Sequence, residues 1–356
     1  MKIQRCKGMR DLSPSDMAVF RLIEGICRDS FMKWGYGEVR TPTIEYLHLF
    51  TSAGTLTPGR LGKVYSFLDW DGWSGERVVL RPDGTIPVAR FYTESLKGQG
   101  PARLFYATNT FIFEESPEKP RERWQCGAEL IGASSSIADA ELIALSLETL
   151  NKLGLKDVEL RLSHAGLIKA LLGKLGLSSE EQHRAFDLIL DGDAAELARI
   201  VRESPELEGI LRPLLSPEGQ SPDFLRGQKA LFNRSLPEIT SPLDDFLKTV
   251  AFLDDLGIKY QINVASGAGF EYYTGIIFQF FTGGEKVGGG GRYDSLIQSM
   301  GGGDIPASGF ALYLDQLMGL VNPGVVASPG VGRIVVRAES VNVLKNAFDL
   351  ADRLRQ

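Results

Sequence analysis

Cysteine and histidine are scarce in this sequence, three of each among 356 residues. Cys6, Cys27 and Cys126 lie far apart with no C-x-x-C spacing, which excludes a dense disulfide framework and points to reduced thiols in a cytoplasmic protein. His48, His164 and His183 are scattered as well, so no metal site is expected. No apolar run reaches the roughly 20 residues of a membrane span, and the N-terminus has no apolar signal-peptide core. An excess of positive charge is also missing. The formal net charge is −6, which weighs against a phosphate-binding nucleic-acid surface. What remains, 43% hydrophobic and 24% charged, is a soluble globular composition, long enough for one large domain or two.

Glycine is plentiful, and it clusters in the stretch Val264–Leu296. Two strand-like runs, Tyr272–Phe281 and the short Lys286–Val287, are set among small-residue breaks at Ser266–Gly269, Gly283-Gly284 and Gly288–Gly291. Glycines beside strands mark a turn or a place where something approaches the backbone. Tyr272-Tyr273 opens the first run and Arg292-Tyr293-Asp294 closes the last, the layout of a small-molecule pocket floor. A plain hairpin with a loose glycine turn fits the same spacing. A nucleotide-binding glycine loop fits poorly: Gly267-Ala268-Gly269 lacks a third glycine, and Gly288–Gly291 is not followed by Lys-Ser/Thr.

Upstream, Ser13-Pro14 predicts a helix start, and apolar residues at helical spacing from Met17 to Trp34 carry it to Gly35. Glu38–Ile44 reads as a strand that Pro42 confines to an edge or interface. Lys63–Trp70 and Arg77–Leu80 read as a hairpin around Asp71-Gly72. Asp83, ahead of an apolar helical segment, is a natural N-cap. Arg103–Phe113, a charged loop and Trp124–Ile131 form strand–loop–strand. Gln125 and Glu129, four apart, share a face of the second strand, and a solvated sheet face would explain them too. A helix over Ile137–Leu153, a strand over Val158–Leu162 and a helix over Phe246–Leu256 follow. Pro306–Leu317 is a strand running into a helix.

Tyr272-Tyr273-Thr274-Gly275 and Gly290-Gly291-Arg292-Tyr293-Asp294, with Gln125 and Glu129, resemble the histidine-specific signatures of histidyl-tRNA synthetases. Lys7–Pro14 is similar to the family's opening segment. Over residues 5–320 this implies an α+β, class II aminoacyl-tRNA synthetase-like core: an antiparallel sheet flanked by helices, with a helical insertion over about 167–236. The synthetase-like domain would span 1–322, and 323–356 would be a linker plus a strand and helix that begin like the family's anticodon-binding domain. The resemblance also implies a homodimer, with Pro42 at the interface. Asp83 and Thr85 would hold the ligand's amino group, Gln125 its polar backbone, and Glu129 with Tyr272 or Tyr273 its imidazole.

The departures are as informative. Arginines expected in the family's motifs are replaced by Ile112, Ala268 and Gln316. Amino-acid activation builds negative charge on phosphates, and one lost charge-stabilising donor costs roughly 3 kcal/mol, about a hundredfold in rate. Three together, though not additive, predict that activation is abolished. Arg121, on the loop between the strands, is the remaining candidate to meet a phosphate. A chain that holds free histidine and cannot activate it is similar to the synthetase-like regulatory subunits that pair with a short-form ATP phosphoribosyltransferase catalytic subunit. The expectation is thus a histidine sensor with no catalytic residues of its own, no cofactor, no tRNA and no membrane partner. A divergent amino-acid-activating enzyme is the alternative.

Overall fold

The computed structural model describes residues 4–52, 61–69, 75–116, 119–174, 221–235, 237–263 and 272–322, with a few isolated positions besides. The chain enters through the helix Pro14–Lys33. Ser13 caps it reciprocally with Asp16, Pro14 occupies the first turn, and Gly35, at φ 82°, turns the chain away. The strand-rich core then forms in order: β1 (Gly37–Glu38), β2 (Ile44–Tyr46), β3 (Ser66–Leu68), β4 (Arg77–Leu80), β5 (Ala102–Phe111) and β6 (Glu122–Ile131). After the helix Ser136–Lys152 come β7 (Glu159–His164), β8 (Gln261–Ile262), β9 (Ile276–Thr282), β10 (Glu285–Arg292) and β11 (Ala307–Tyr313).

Eight strands make one sheet in the order β1-β5-β6-β11-β10-β9-β7-β8, and β2-β4-β3 make a small antiparallel sheet. The large sheet is antiparallel through its centre, as expected, but the end pairs β1/β5 and β7/β8 are parallel. Its two faces differ sharply. One face carries Phe105, Ala128, Phe310, Phe278 and Leu162 in a cross-strand row, all buried. The helix Pro14–Lys33 packs there, with the Phe31 ring edge-on to Phe105 and Phe310 at 5.6 Å each. Aromatic and aliphatic side chains on these long strands give this face its apolar content. The other face carries small and polar residues, and the cavity lies over it.

Several expectations change. Glu38–Ile44 is not one strand: Pro42 lies between β1 and β2, which belong to different sheets, in keeping with the missing N–H of proline. The run from Tyr272 begins as a turn and becomes strand only at Ile276. Gly283 and Gly284, both at positive φ, form the two-residue turn between β9 and β10. Gly288–Gly291, expected to be a break, is the interior of β10. The proposed turn at Asp71-Gly72, the middle of the 167–236 insertion, position 268 and the 323–356 segment lie outside the described residues. Of the insertion, the helices Ala165–Gly173 and Pro222–Ser235 are described. No described helix is long and apolar enough to cross a membrane, and no group of three or more metal-ligating side chains occurs among the described residues.

Candidate functional site

Directly opposed residues of antiparallel strands share a face. One cross-strand row on the polar face therefore reads Leu104, Glu129, Gly309, Gly291, Ile277, and the next reads Tyr106, Gly127, Ala311, Gly289, Gln279. The middle of both rows is glycine or alanine, which leaves a trough in the floor of the sheet. A methyl at Gly309 would overlap the Glu129 carboxylate, and one at Gly127 would overlap the Tyr106 ring. These glycines make room for neighbouring functional side chains rather than turning the chain.

Over the trough lies a cavity of about 70 Å³ lined by residues that include Asp83, Thr85, Gln125, Tyr272, Tyr273, Lys286, Tyr293 and Tyr313. One water-sized group needs roughly 10–15 Å³, so the space holds several such groups. Five of the six residues expected to bind ligand are in this wall. The sixth, Glu129, is fully buried in the floor, its carboxylate lying against Gly309.

The wall is held in place from several directions. The Arg81 guanidinium donates to Asn109 O (2.8 Å), Asn109 Oδ1 (2.8 Å) and Thr41 O (2.8 Å), fixing the turn that leads into Asp83. Asp83 accepts from Ile86 N at 2.7 Å. It thus accepts from the first turn of the helix Thr85–Ser95, although the N-cap position itself is Gly84, and it also lines the cavity. Tyr272 and Tyr273 are placed by Thr274 N bonding to Arg292 O (2.8 Å) and by Lys169 Nζ donating to Tyr273 O (3.0 Å). Gln125 Nε2 donates to Tyr106 Oη at 3.1 Å. Tyr106 and Tyr293 were not among the expected ligands. Tyr293 is visible in the Gly-Gly-Arg-Tyr-Asp run, and Tyr106 could be found only from its register opposite Gly127.

Electrostatically the inner end is unusual. Burial pushes Asp83 up to about 6, against amide hydrogen bonds from Ile86, Thr85 and Gly84 and a Tyr272 hydroxyl. Burial likewise pushes Glu129 up to about 8, opposed chiefly by the Tyr293 hydroxyl and reinforced by the charge of Asp83. No cation is among the main influences on either. Tyr293 donates to Glu129 Oε2. The Thr85 and Tyr106 hydroxyls also favour the charged form, yet Oε1 is buried without a hydrogen-bond partner. Buried polar atoms are almost always satisfied, so an orphan on the cavity side of the sheet, beside the lining residues Gly309 and Tyr293, marks a place for a ligand donor.

The positions that should carry phosphate-binding arginines contribute no cation. Ile112 uses its backbone N–H on Arg121 O (2.9 Å). Gln316 lies half-buried in the helix Leu314–Leu320. Its neighbour Asp315 accepts from Trp124 N at 2.6 Å and pairs with Arg10. Arg121 lies over the Phe113 ring, 4.3 Å from its centroid, and donates to Glu114 O at 2.8 Å. Its guanidinium is thus already occupied by this loop.

This architecture, a largely antiparallel sheet with helices behind and a glycine-floored polar cavity in front, is that of a class II aminoacyl-tRNA synthetase-like protein. The family model described as histidyl-tRNA synthetase matches residues 8–317. An ATP phosphoribosyltransferase regulatory subunit from Dehalococcoides mccartyi is 54% identical over 354 residues, covering 99% of this chain and 86% of that protein. A histidine–tRNA ligase from Methanosarcina acetivorans is 34% identical, covering 99% of this chain and 86% of that protein. A crystal structure from Bacillus halodurans, described as an ATP phosphoribosyltransferase regulatory subunit/histidyl-tRNA synthetase, superposes with a TM-score of 0.81 at 25% identity, covering 100% of this chain and 90% of that one. The chain belongs to the histidyl-tRNA synthetase family, in the branch of the ATP phosphoribosyltransferase regulatory subunits.

Proposed function

We propose that this chain is a non-catalytic, histidine-binding regulatory subunit. It pairs with a short-form ATP phosphoribosyltransferase catalytic subunit in the cytoplasm and supports feedback control of the first step of histidine biosynthesis. One observation carries the reading: the orphaned Oε1 of Glu129, buried next to a small polar cavity that a second raised carboxylate, Asp83, lines. An imidazole N–H would satisfy that oxygen, and an α-ammonium would be met by Asp83 with the Thr85 hydroxyl. Sites that hydrogen-bond a substrate's N–H reject analogues lacking it by large factors. The neutral side chains at Ile112 and Gln316, and the engagement of Arg121 with Phe113 and Glu114, argue against amino-acid activation. Feedback further requires that histidine bind two states of the assembly unequally.

Calorimetry with free histidine tests the site: wild type is expected to bind, and Glu129→Ala to lose most of that affinity. Histidine-dependent ATP–pyrophosphate exchange should stay at background. Affinity capture from the native host should recover a short phosphoribosyltransferase. Exchange at an appreciable turnover would instead establish the amino-acid-activating alternative.

A further inference from the structure

We propose that Lys286 is the residue that binds the carboxylate of the cavity's amino-acid ligand. The inference deepens the histidine-binding reading and rests on it. It begins with an irregularity in β10. Lys286 pairs with Phe281, but Gly288 pairs with Phe280, so Val287 is an extra residue in the ladder. In a regular strand Lys286 and Gly289, three apart, would point to opposite faces. Both line the cavity. The bulge re-aims the lysine, while Val287 is completely buried; bulges beside functional sites commonly do this.

The bulge puts a cation where the cavity's charge distribution lacks one. The inner end holds Asp83 and Glu129. The far end is reached along β6 at Gln125, four residues or roughly 13 Å of strand from Glu129. Tyr313 lies opposite Gln125, and Gly288 pairs with the residue before Tyr313, so Lys286 enters the cavity from this end. A ligand with cationic or donor groups at one end and an anion at the other matches this polarity, and a zwitterionic amino acid with a nitrogenous side chain is that ligand. The ammonium on its flexible four-carbon stem follows a carboxylate without the fixed fork geometry of arginine.

A rival role is that Lys286 only offsets the two buried carboxylates, and ligand chemistry separates the two. Histamine keeps the amine and imidazole of histidine and lacks the carboxylate. Calorimetry with both ligands, on wild type, Lys286→Met and Lys286→Arg, forms a cycle between side chain and carboxylate. Lys286→Met is expected to weaken histidine about tenfold to a hundredfold, the range for one charge-assisted hydrogen bond. Histamine affinity should stay within about twofold, the usual additivity error, and Lys286→Arg should restore part of the histidine affinity. Equal changes for both ligands, or no change for either, would overturn the assignment of Lys286 while wild-type histidine binding still stands. A wild type that takes up no histidine would overturn the underlying reading itself.

Discussion

Adjacent residues on β10 and β11 serve opposite purposes on the two faces of one sheet. On the core side, Arg292 and Ser308 are cross-strand partners that close around Asp139. The guanidinium meets both Asp139 oxygens at 2.9 and 3.1 Å and also reaches Ser135 O at 3.1 Å, while the Ser308 hydroxyl adds a bond of 2.6 Å. One residue along each strand, on the cavity side, Gly291 and Gly309 are the partners, and the buried carboxylate on the other flank of Gly309, Glu129, keeps an unsatisfied oxygen. Both carboxylates are completely buried. One has both oxygens hydrogen-bonded by the protein itself and so fixes the relation of helix Ser136–Lys152 to the sheet. The other is left for something that arrives later. Burial alone therefore does not separate a structural acid from a binding one; completeness of its hydrogen bonding does.

The strongest way to break that contrast is to open the closed side. Arg292→Ala leaves the buried Asp139 without its counter-charge, held by the Ser308 hydroxyl alone, and the expected destabilisation is about 3–5 kcal/mol in urea unfolding. Arg292→Met combined with Asp139→Leu should recover most of it, because apolar replacements remove the desolvation cost together with the pair. A loss of less than about 1 kcal/mol for Arg292→Ala would mean that the two faces are not energetically distinct.

Next in size is a methyl on the open side. Gly309→Ala sets its Cβ onto Glu129 Oε2, with Ala128 O only 2.8 Å away. The expected cost is about 3 kcal/mol, the upper end of overpacking, with loss of histidine binding. In a Glu129→Ala background the same methyl should cost distinctly less, since the obstructing carboxylate is gone. An unchanged cost would place the clash on the backbone instead.

Glu129→Gln changes sign relative to the core side. Burial holds the Glu129 carboxyl up to about 8, far above the roughly 4.3 of an exposed glutamate. The folded state thus binds the extra proton between those values. The associated stability is complete below roughly pH 4 and is lost as pH rises through about 8. Glutamine keeps an acceptor for Tyr293 and has no charge to desolvate. The variant should be more stable than wild type by about 1–2 kcal/mol at pH 8.5, with the gain shrinking toward pH 5. Its histidine affinity should fall in the same experiment. Thermal unfolding across this range checks the slope, and a pH-independent difference would show that Glu129 does not titrate there.

Local signals in the sequence carried much of the fold. Ser13, Pro14 and Asp16 define a helix start by hydrogen bonds within one turn, and they were readable for that reason. The strand–loop–strand around Arg121 and the passage from Ala307–Tyr313 into a helix were readable from alternation. The site was legible as a set of polar residues, and five of six do line one cavity. What could not be read depends on pairing between distant strands. Gly288–Gly291 looked like a break because glycine disfavours strands, yet here the close approach of the Ala311, Phe278, Gly309 and Ile276 carbonyl oxygens requires residues without side chains. Tyr106 and Lys286 join the site only through register and a bulge, which no local spacing encodes.

Glycines give the smallest and sharpest test of this account, since three kinds coexist. Gly309 is needed for room, whereas Gly35, with nothing within 4 Å, is needed for its φ of +82°. Gly25, inside the helix Pro14–Lys33, has an ordinary φ and open space where its Cβ would be. Alanine there removes backbone freedom from the unfolded chain and should raise stability by about 0.5–1 kcal/mol. Gly35→Ala should lower stability by a similar amount, because left-handed φ costs an L-residue roughly 1–2 kcal/mol against the same entropic gain. Histidine binding should be untouched in both, as neither position faces the cavity. Paired chemical denaturation curves measure the two shifts. If Gly25→Ala destabilised the protein or weakened the ligand, space at the glycine would no longer distinguish those that serve the site from those that do not.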